Sequence, residues 1–346
     1  GTNVSLVDSA ALQLGNVTAS GTLSATSALG ITQASSTSLS VGSTSTFTAD
    51  ASHDVVLDKT ANTFSGALSL GTVQNATVYA TGAVALGAAS SVGSLTLQTT
   101  GNVTQTGALT TTGNVSLTST AGSVTLTNAG NSLGGSVAAS GTNVSLVDST
   151  ALQLGNVTAT GTLSATSALG ITQASSTALS VGSTSTFTAD ASHDVVLDKT
   201  ANTFTGALSL GTVRDATVNA TGAVALGAAS SVGTLTLQTT GNVTQTGALT
   251  TTGNVSLTST AGDISLTQGS NSLGGSVAAS GTNVSLVDST ALQLGNVTAT
   301  GTLSATSTLG ITQASSTALS VGSTSTFTAD ASHDVVLDKT ANTFTG

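Results

Sequence analysis

Gly1-Thr2-Asn3-Val4-Ser5-Leu6-Val7-Asp8-Ser9 returns residue for residue at Gly141, and its first eight residues and Ser289 return again from Gly281, so the chain has a long, exact period. Within this stretch Val4-Ser5-Leu6 alternates an apolar with a hydroxyl side chain. On an extended backbone successive side chains point to opposite faces, so the alternation describes a strand with one dry and one wet face. Leu12-Gln13-Leu14, Leu95-Thr96-Leu97 and Val115-Ser116-Leu117 read the same way. Clusters of Gly, Asn, Ser or Asp interrupt these stretches roughly every 6–12 residues, as turns between short strands do.

Residues 1–140, 141–280 and 281–346 are thus two full copies and a partial third. The full copies differ at about a tenth of positions, among them Gln74 against Arg214, Asn75 against Asp215 and Tyr79 against Asn219. A weaker half-period lies inside each copy. Asn62-Thr63-Phe64-Ser65-Gly66 matches Asn131-Ser132-Leu133-Gly134-Gly135, and Gly30-Ile31-Thr32-Gln33 matches Asn102-Val103-Thr104-Gln105. Grouping three short strands per turn gives coils of about 23 residues and about 15 coils in the chain.

A strand this short cannot bury a face alone, but stacking coils pairs each strand with its equivalents above and below. The expected fold is therefore all-β, a parallel β-helix (β-solenoid) running continuously through the copies. Phe64, Leu133, Phe204 and Leu273 should point inward at equivalent positions. Tyr79, between inward Val78 and Ala80, should point out, which would let Asn219 replace it. Tandem immunoglobulin-like sandwiches are the rival, but such domains usually carry a buried Trp, and this chain has none.

All 14 acidic residues are aspartates, set against Lys59, Lys199, Lys339 and Arg214, for a net charge of −10. That balance argues against nucleic acid and against anionic lipid surfaces. No apolar run is long enough to cross a membrane as a helix, so no membrane insertion is expected. The absence of cysteine suits a reducing compartment or an exported chain that avoids disulfides. The pattern is already under way at Gly1 and still running at Gly346, which reads as a stretch of something longer.

The one charge cluster runs from Asp50 through His53, Asp54 and Asp58 to Lys59, and repeats at Asp190–Lys199 and Asp330–Lys339. Asp54 and Asp58 on an extended strand lie about 13 Å apart, too far to share an ion. Only the turn holding Asp50, His53 and Asp54 is a candidate calcium site, with its copies Asp190, His193, Asp194 and Asp330, His333, Asp334. The competing reading is an exposed polar turn followed by inward Val55 and Leu57. Asn16, Asn75 and Asn102 fit the glycosylation pattern, but they read as turn asparagines that tolerate left-handed backbone and ladder between coils. No catalytic or cofactor site is expected, because paired carboxylates for glycosidic chemistry are not normally copied in every repeat of a rod. Runs such as Thr110-Thr111-Thr112 admit an alternative, an ice-binding threonine face.

The blocks Gly101-Asn102-Val103-Thr104-Gln105-Thr106-Gly107-Ala108-Leu109 and Asn114-Val115-Ser116-Leu117-Thr118-Ser119-Thr120-Ala121-Gly122 resemble the repeats of filamentous haemagglutinin-type, two-partner-secretion exoproteins. So do Asp263-Ile264-Ser265-Leu266-Thr267 and the joint from Asn62 to Ala67. The resemblance implies a right-handed β-helix, secreted to the surface of a Gram-negative bacterium and serving adhesion, aggregation or biofilm formation. The expected partners are a host or neighbouring cell surface, or the chain itself in end-to-end or lateral filaments.

Overall fold

The computed structural model describes residues 1–87, 90–227 and 230–346, and every helix or strand assigned in them is a β-strand. Contacts group the chain into two units, Gly1–Leu169 and Gly170–Gly346. Each is a parallel β-solenoid, with about 17 turns in all and about 20 residues per turn.

In the first unit one wall is a ladder of parallel strands, one per turn. Val4–Asp8 pairs with Leu23–Ser27, then Ser45–Thr48, Ala67–Leu70 and Val84–Leu86 follow, and the ladder continues to Leu163–Ser167. The register gives each turn its length. Ser45 lies beside Leu68, whereas Ala67 lies beside Ala85, so the first of these turns is the longer by several residues. The average turn is therefore shorter and less regular than the sequence pattern suggests, because loops at the corners differ in length. A second wall runs through Ile31–Gln33, Val55–Leu57 and Val73–Tyr79 to Val115–Ser119. A short third wall stacks Val17–Ala19, Leu39–Val41 and Thr63–Phe64.

From Val4 to its copy Val144, one full sequence period, the first wall advances seven turns. The half-period therefore spans three and a half turns, not three. Its two halves consequently exchange walls. Ile31–Gln33 belongs to the second wall, but its sequence equivalent Val103–Gln105 belongs to the first. Likewise Val55–Leu57 is on the second wall and its equivalent Val124–Leu126 is on the first. One sequence pattern serves both walls because both need the same alternation of inward apolar and outward hydroxyl side chains.

The core is made of columns of small aliphatic groups. On the second wall Val55, Ala76, Leu95, Val115 and Val137 stack in register, each at most 2% exposed. Each buried Val or Leu contributes about 1.5–3 kcal/mol relative to exposure. The second unit repeats the arrangement, for example in Val195, Ala216, Leu235, Val255 and Val277. Phe64, Leu133, Phe204 and Leu273 are buried as expected, but they do not form one column. Phe64 lies on Val41 and meets Phe47 edge-on at 6.2 Å, whereas Leu133 lies on Thr111. Val78 and Ala80 point inward, and Tyr79 between them is half-buried on the outer face.

Candidate functional site

The Asp50–Lys59 segment forms a corner turn that enters Val55–Leu57. Asp50 Oδ1 closes the turn, accepting from the Ser52 amide at 2.8 Å and its hydroxyl at 2.9 Å. His53 Nδ1 lies 2.7 Å from the same oxygen. The imidazole contact first, and then the Ser52 donors, hold the Asp50 carboxyl below its ordinary range, because hydrogen bonds to the charged form favour it. Asp190 and Asp330 are lowered in the same way by His193 and His333. The turn rests on Gly30 of the preceding turn, whose φ is +98°. A Cβ there would sit 3.0 Å from the Asp54 carbonyl oxygen, and the amide of Ile31 donates to that oxygen at 2.9 Å.

The structure brings Asp50 and His53 together and takes Asp54 elsewhere. Asp54 Oδ1 accepts from the amide of Asn75 at 3.1 Å and from its Nδ2 at 3.0 Å, in the following turn. In the second copy Arg214 grips Asp194 with Nε at 2.8 Å and a terminal nitrogen at 2.6 Å. Asp215 there accepts from the amide and hydroxyl of Thr234 at 2.8 and 2.6 Å, and those bonds lower its pKa. In the first copy Asn75 makes both links, donating to Asp54 and accepting from the Ser94 amide at 3.2 Å, and in the second copy they are divided between Arg214 and Asp215. The three residues read as a calcium site are divided between two hydrogen-bond systems. Among the described residues no group of three or more His, Cys, Asp or Glu is placed to hold a metal ion. Asp58 and Lys59 follow the strand Val55–Leu57 and pair with each other at 2.5 Å.

Asn62 is the centre of a buried polar system that the sequence pattern displays but does not decode. It is 0% exposed. Its Nδ2 donates to Gln33 Oε1 at 2.9 Å, and Gln33 Nε2 donates back to its Oδ1 at 2.8 Å. Asn62 Oδ1 also accepts from the Leu39 amide at 2.8 Å, while its Nδ2 reaches the Tyr79 carbonyl at 3.1 Å. The same pair recurs as Asn131 with Gln105, Asn202 with Gln173, Asn271 with Gln245 and Asn342 with Gln313. The signal was the return of one Gln and one Asn in every half-period, and it lacked the knowledge that they lie one turn apart. Turn asparagines do ladder between turns, as when the Ser38 amide donates to Asn16 and the Ser123 amide to Asn102. They do so without left-handed backbone: among the described residues the only non-glycine positive φ values belong to Ser36, Ser176 and Ser316.

Asp148 and Asp288 are the buried carboxylates, at 1% and 0% exposure. Asp148 Oδ1 accepts from the amide of Thr150 at 3.0 Å and its hydroxyl at 2.9 Å, while Oδ2 has no hydrogen-bond partner among the described residues. They terminate a strand and close the turn that follows it.

Compared with known proteins, the chain finds no match among curated proteins or solved structures. It matches a family described as repeats of unknown function (DUF5649) over residues 1–71, 73–140, 141–211, 213–280 and 281–346. The family repeat is thus the half-period of three and a half turns, and five consecutive matches account for nearly every residue. The chain belongs to the DUF5649 repeat family.

Proposed function

We propose that the chain is a non-catalytic structural length of a secreted bacterial surface adhesin or extracellular filament. It holds a binding region away from the cell, or attaches to a host surface, a neighbouring cell or another copy of itself. The observation that carries this reading is the unbroken succession of parallel strand pairs along the first wall from Val4–Asp8 to Leu163–Ser167. Continuous backbone ladders over dry apolar columns resist bending and give proteases few loose segments. The small difference between copies supports the same reading, since a spacer is set by length and turn number and not by a unique pocket.

Deleting residues 141–280 in the producing cell tests the proposal, because the deletion removes a whole sequence period and leaves each remaining turn a matching neighbour. The shortened chain should still reach the surface of intact cells, detected by antibody, and cell attachment or biofilm mass should fall. Failure of antibody to reach the full-length chain on intact cells would sink the reading. So would attachment unchanged after removal of the whole segment 1–346.

A further inference from the structure

Between the corner carrying Ser36 and Thr37 and the corner carrying Asp58, Lys59 and Thr60 lies an open groove of about 440 Å³. The third copy has the same groove, of about 450 Å³, between Ser316–Ala318 and Asp338–Ala341. In the second copy Ser176, Thr177, Asp198, Lys199 and Thr200 occupy the same positions, with Lys199 Nζ 2.6 Å from Asp198.

Three independent features mark this groove. The chain has three lysines, and all three stand here. They lie folded in, with Lys59 28%, Lys199 27% and Lys339 31% exposed, against the usual extension of a lysine into water. Ser36, Ser176 and Ser316 hold φ of +58° to +59°, in the left-handed region that a residue with a Cβ enters only against steric resistance. A chain with 40 glycines keeps a serine at this strained position in every copy, and such strain persists at sites where a side chain is needed. Both lips are also fixed from behind by one buried amide pair. Gln33 Nε2 donates to the Thr37 carbonyl at 3.2 Å, and the Asn62 amide donates to the Lys59 carbonyl at 3.2 Å. A site held by buried hydrogen bonds is ordered before anything binds.

We propose that this groove binds a neutral, hydroxyl-rich saccharide, with one site in each copy of the long period. Asp58 neutralises Lys59, and the chain carries a net charge of −10, so a polyanion gains nothing here. The ammonium group equally repels a metal cation. What remains exposed is a mixed set of donors and acceptors: the ammonium hydrogens not used by Asp58, the second carboxylate oxygen, and the hydroxyls of Ser36 and Thr60. Among the described residues none hydrogen-bonds those two hydroxyls, whereas Thr37 Oγ1 is already committed to the Ala34 carbonyl at 2.7 Å. Sugar hydroxyls donate and accept at once and match such a set. Ala61 gives a C–H face of the ring an apolar contact.

The spacing favours avidity. Within the second unit seven turns separate the groove at Ser176 from that at Ser316. A whole number of turns keeps both on one face, about 34 Å apart at the usual strand spacing. A polysaccharide chain could engage both, raising apparent affinity without any new contact. This inference stands apart from the structural role and survives its failure.

Calorimetric titration of the intact chain with cellohexaose, chitohexaose and maltohexaose, and with heparin as a charged comparison, tests it. At least one neutral oligosaccharide should bind, and raised salt should leave the affinity unchanged. The triple variant Lys59→Ala, Lys199→Ala, Lys339→Ala should weaken binding at least about tenfold with an unchanged melting curve. Silence of all three neutral sugars at millimolar concentration overturns the proposal, as does binding of heparin alone with steep salt dependence. Full affinity in the triple lysine variant and also in Ser36→Gly, Ser176→Gly, Ser316→Gly, which relieves the backbone while removing the hydroxyls, overturns it too.

Discussion

Replacing Asn202 with alanine should damage the second unit far more than replacing its partner Gln173. Asn202 is 0% exposed. Its Nδ2 donates to Gln173 Oε1 at 2.9 Å and the Asn219 carbonyl at 3.1 Å, and its Oδ1 accepts from Gln173 Nε2 at 2.8 Å and the Leu179 amide at 2.9 Å. Asn202→Ala leaves the Leu179 amide, the Asn219 carbonyl and Gln173 Oε1 without partners. At about 1–3 kcal/mol per orphaned buried group, with some water reaching the gap, the loss is roughly 3–6 kcal/mol. Gln173→Ala leaves Asn202 bonded to Leu179 and Asn219, so it should cost about 1–2 kcal/mol. The double variant should cost less than the sum, because Gln173 Oε1 is no longer there to be orphaned. A repeat array does not unfold in two states, so local hydrogen exchange is the proper assay. Protection of the Leu179 amide should fall about a hundredfold or more in Asn202→Ala and far less in Gln173→Ala. Equal effects of the two substitutions, or unchanged exchange at Leu179, would refute the claim that Asn202 is the hub.

Other outcomes follow from the same geometry. Gly170→Ala places a Cβ 3.0 Å from the Asp194 carbonyl oxygen at φ +97°, whereas Gly222→Ala at φ +86° meets nothing within 4 Å. The first should cost about 2–4 kcal/mol and the second about 1–2, measured by local hydrogen exchange, and a reversed order would contradict the packing of the Asp190 turn. Phe204→Ala should cost about 3–5 kcal/mol, because it empties the space beside Phe187, which meets the ring edge-on at 6.2 Å, whereas Phe204→Leu refills most of that volume and should cost under about 1.5. Equal losses of local hydrogen-exchange protection in the two variants would argue against volume as the deciding quantity. The Asp50 carboxyl should titrate below its ordinary 3.8 by NMR and move back toward it in His53→Ala. A carboxylate depressed in the folded state stabilises above its unfolded pKa, and that contribution is lost as pH falls through the lower folded value. The benefit of the turn should therefore vanish only in strong acid, and an unmoved Asp50 titration in His53→Ala would show that Ser52 alone sets it.

The all-β class, the repeat and the inward residues were legible in the sequence because they depend on local periodicity. Val4-Ser5-Leu6 already states which side chains face the core, and the return of Gly1–Ser9 at Gly141 states that the structure repeats. Turn length was not legible. It depends on which strand lies beside which, as with Ser45 beside Leu68 or Ala67 beside Ala85, and a corner can absorb several residues without altering the alternation. For the same reason the half-period looked like three turns, and only the pairing of Val103–Gln105 on the wall opposite its equivalent Ile31–Gln33 reveals three and a half. The polar cluster shows the same division. Asp50 and His53 meet because they are three residues apart in one turn, whereas Asp54 finds Asn75, and Gln33 finds Asn62, across neighbouring turns. Contacts of that kind are set by the stacking of the solenoid, and only the folded chain decides them.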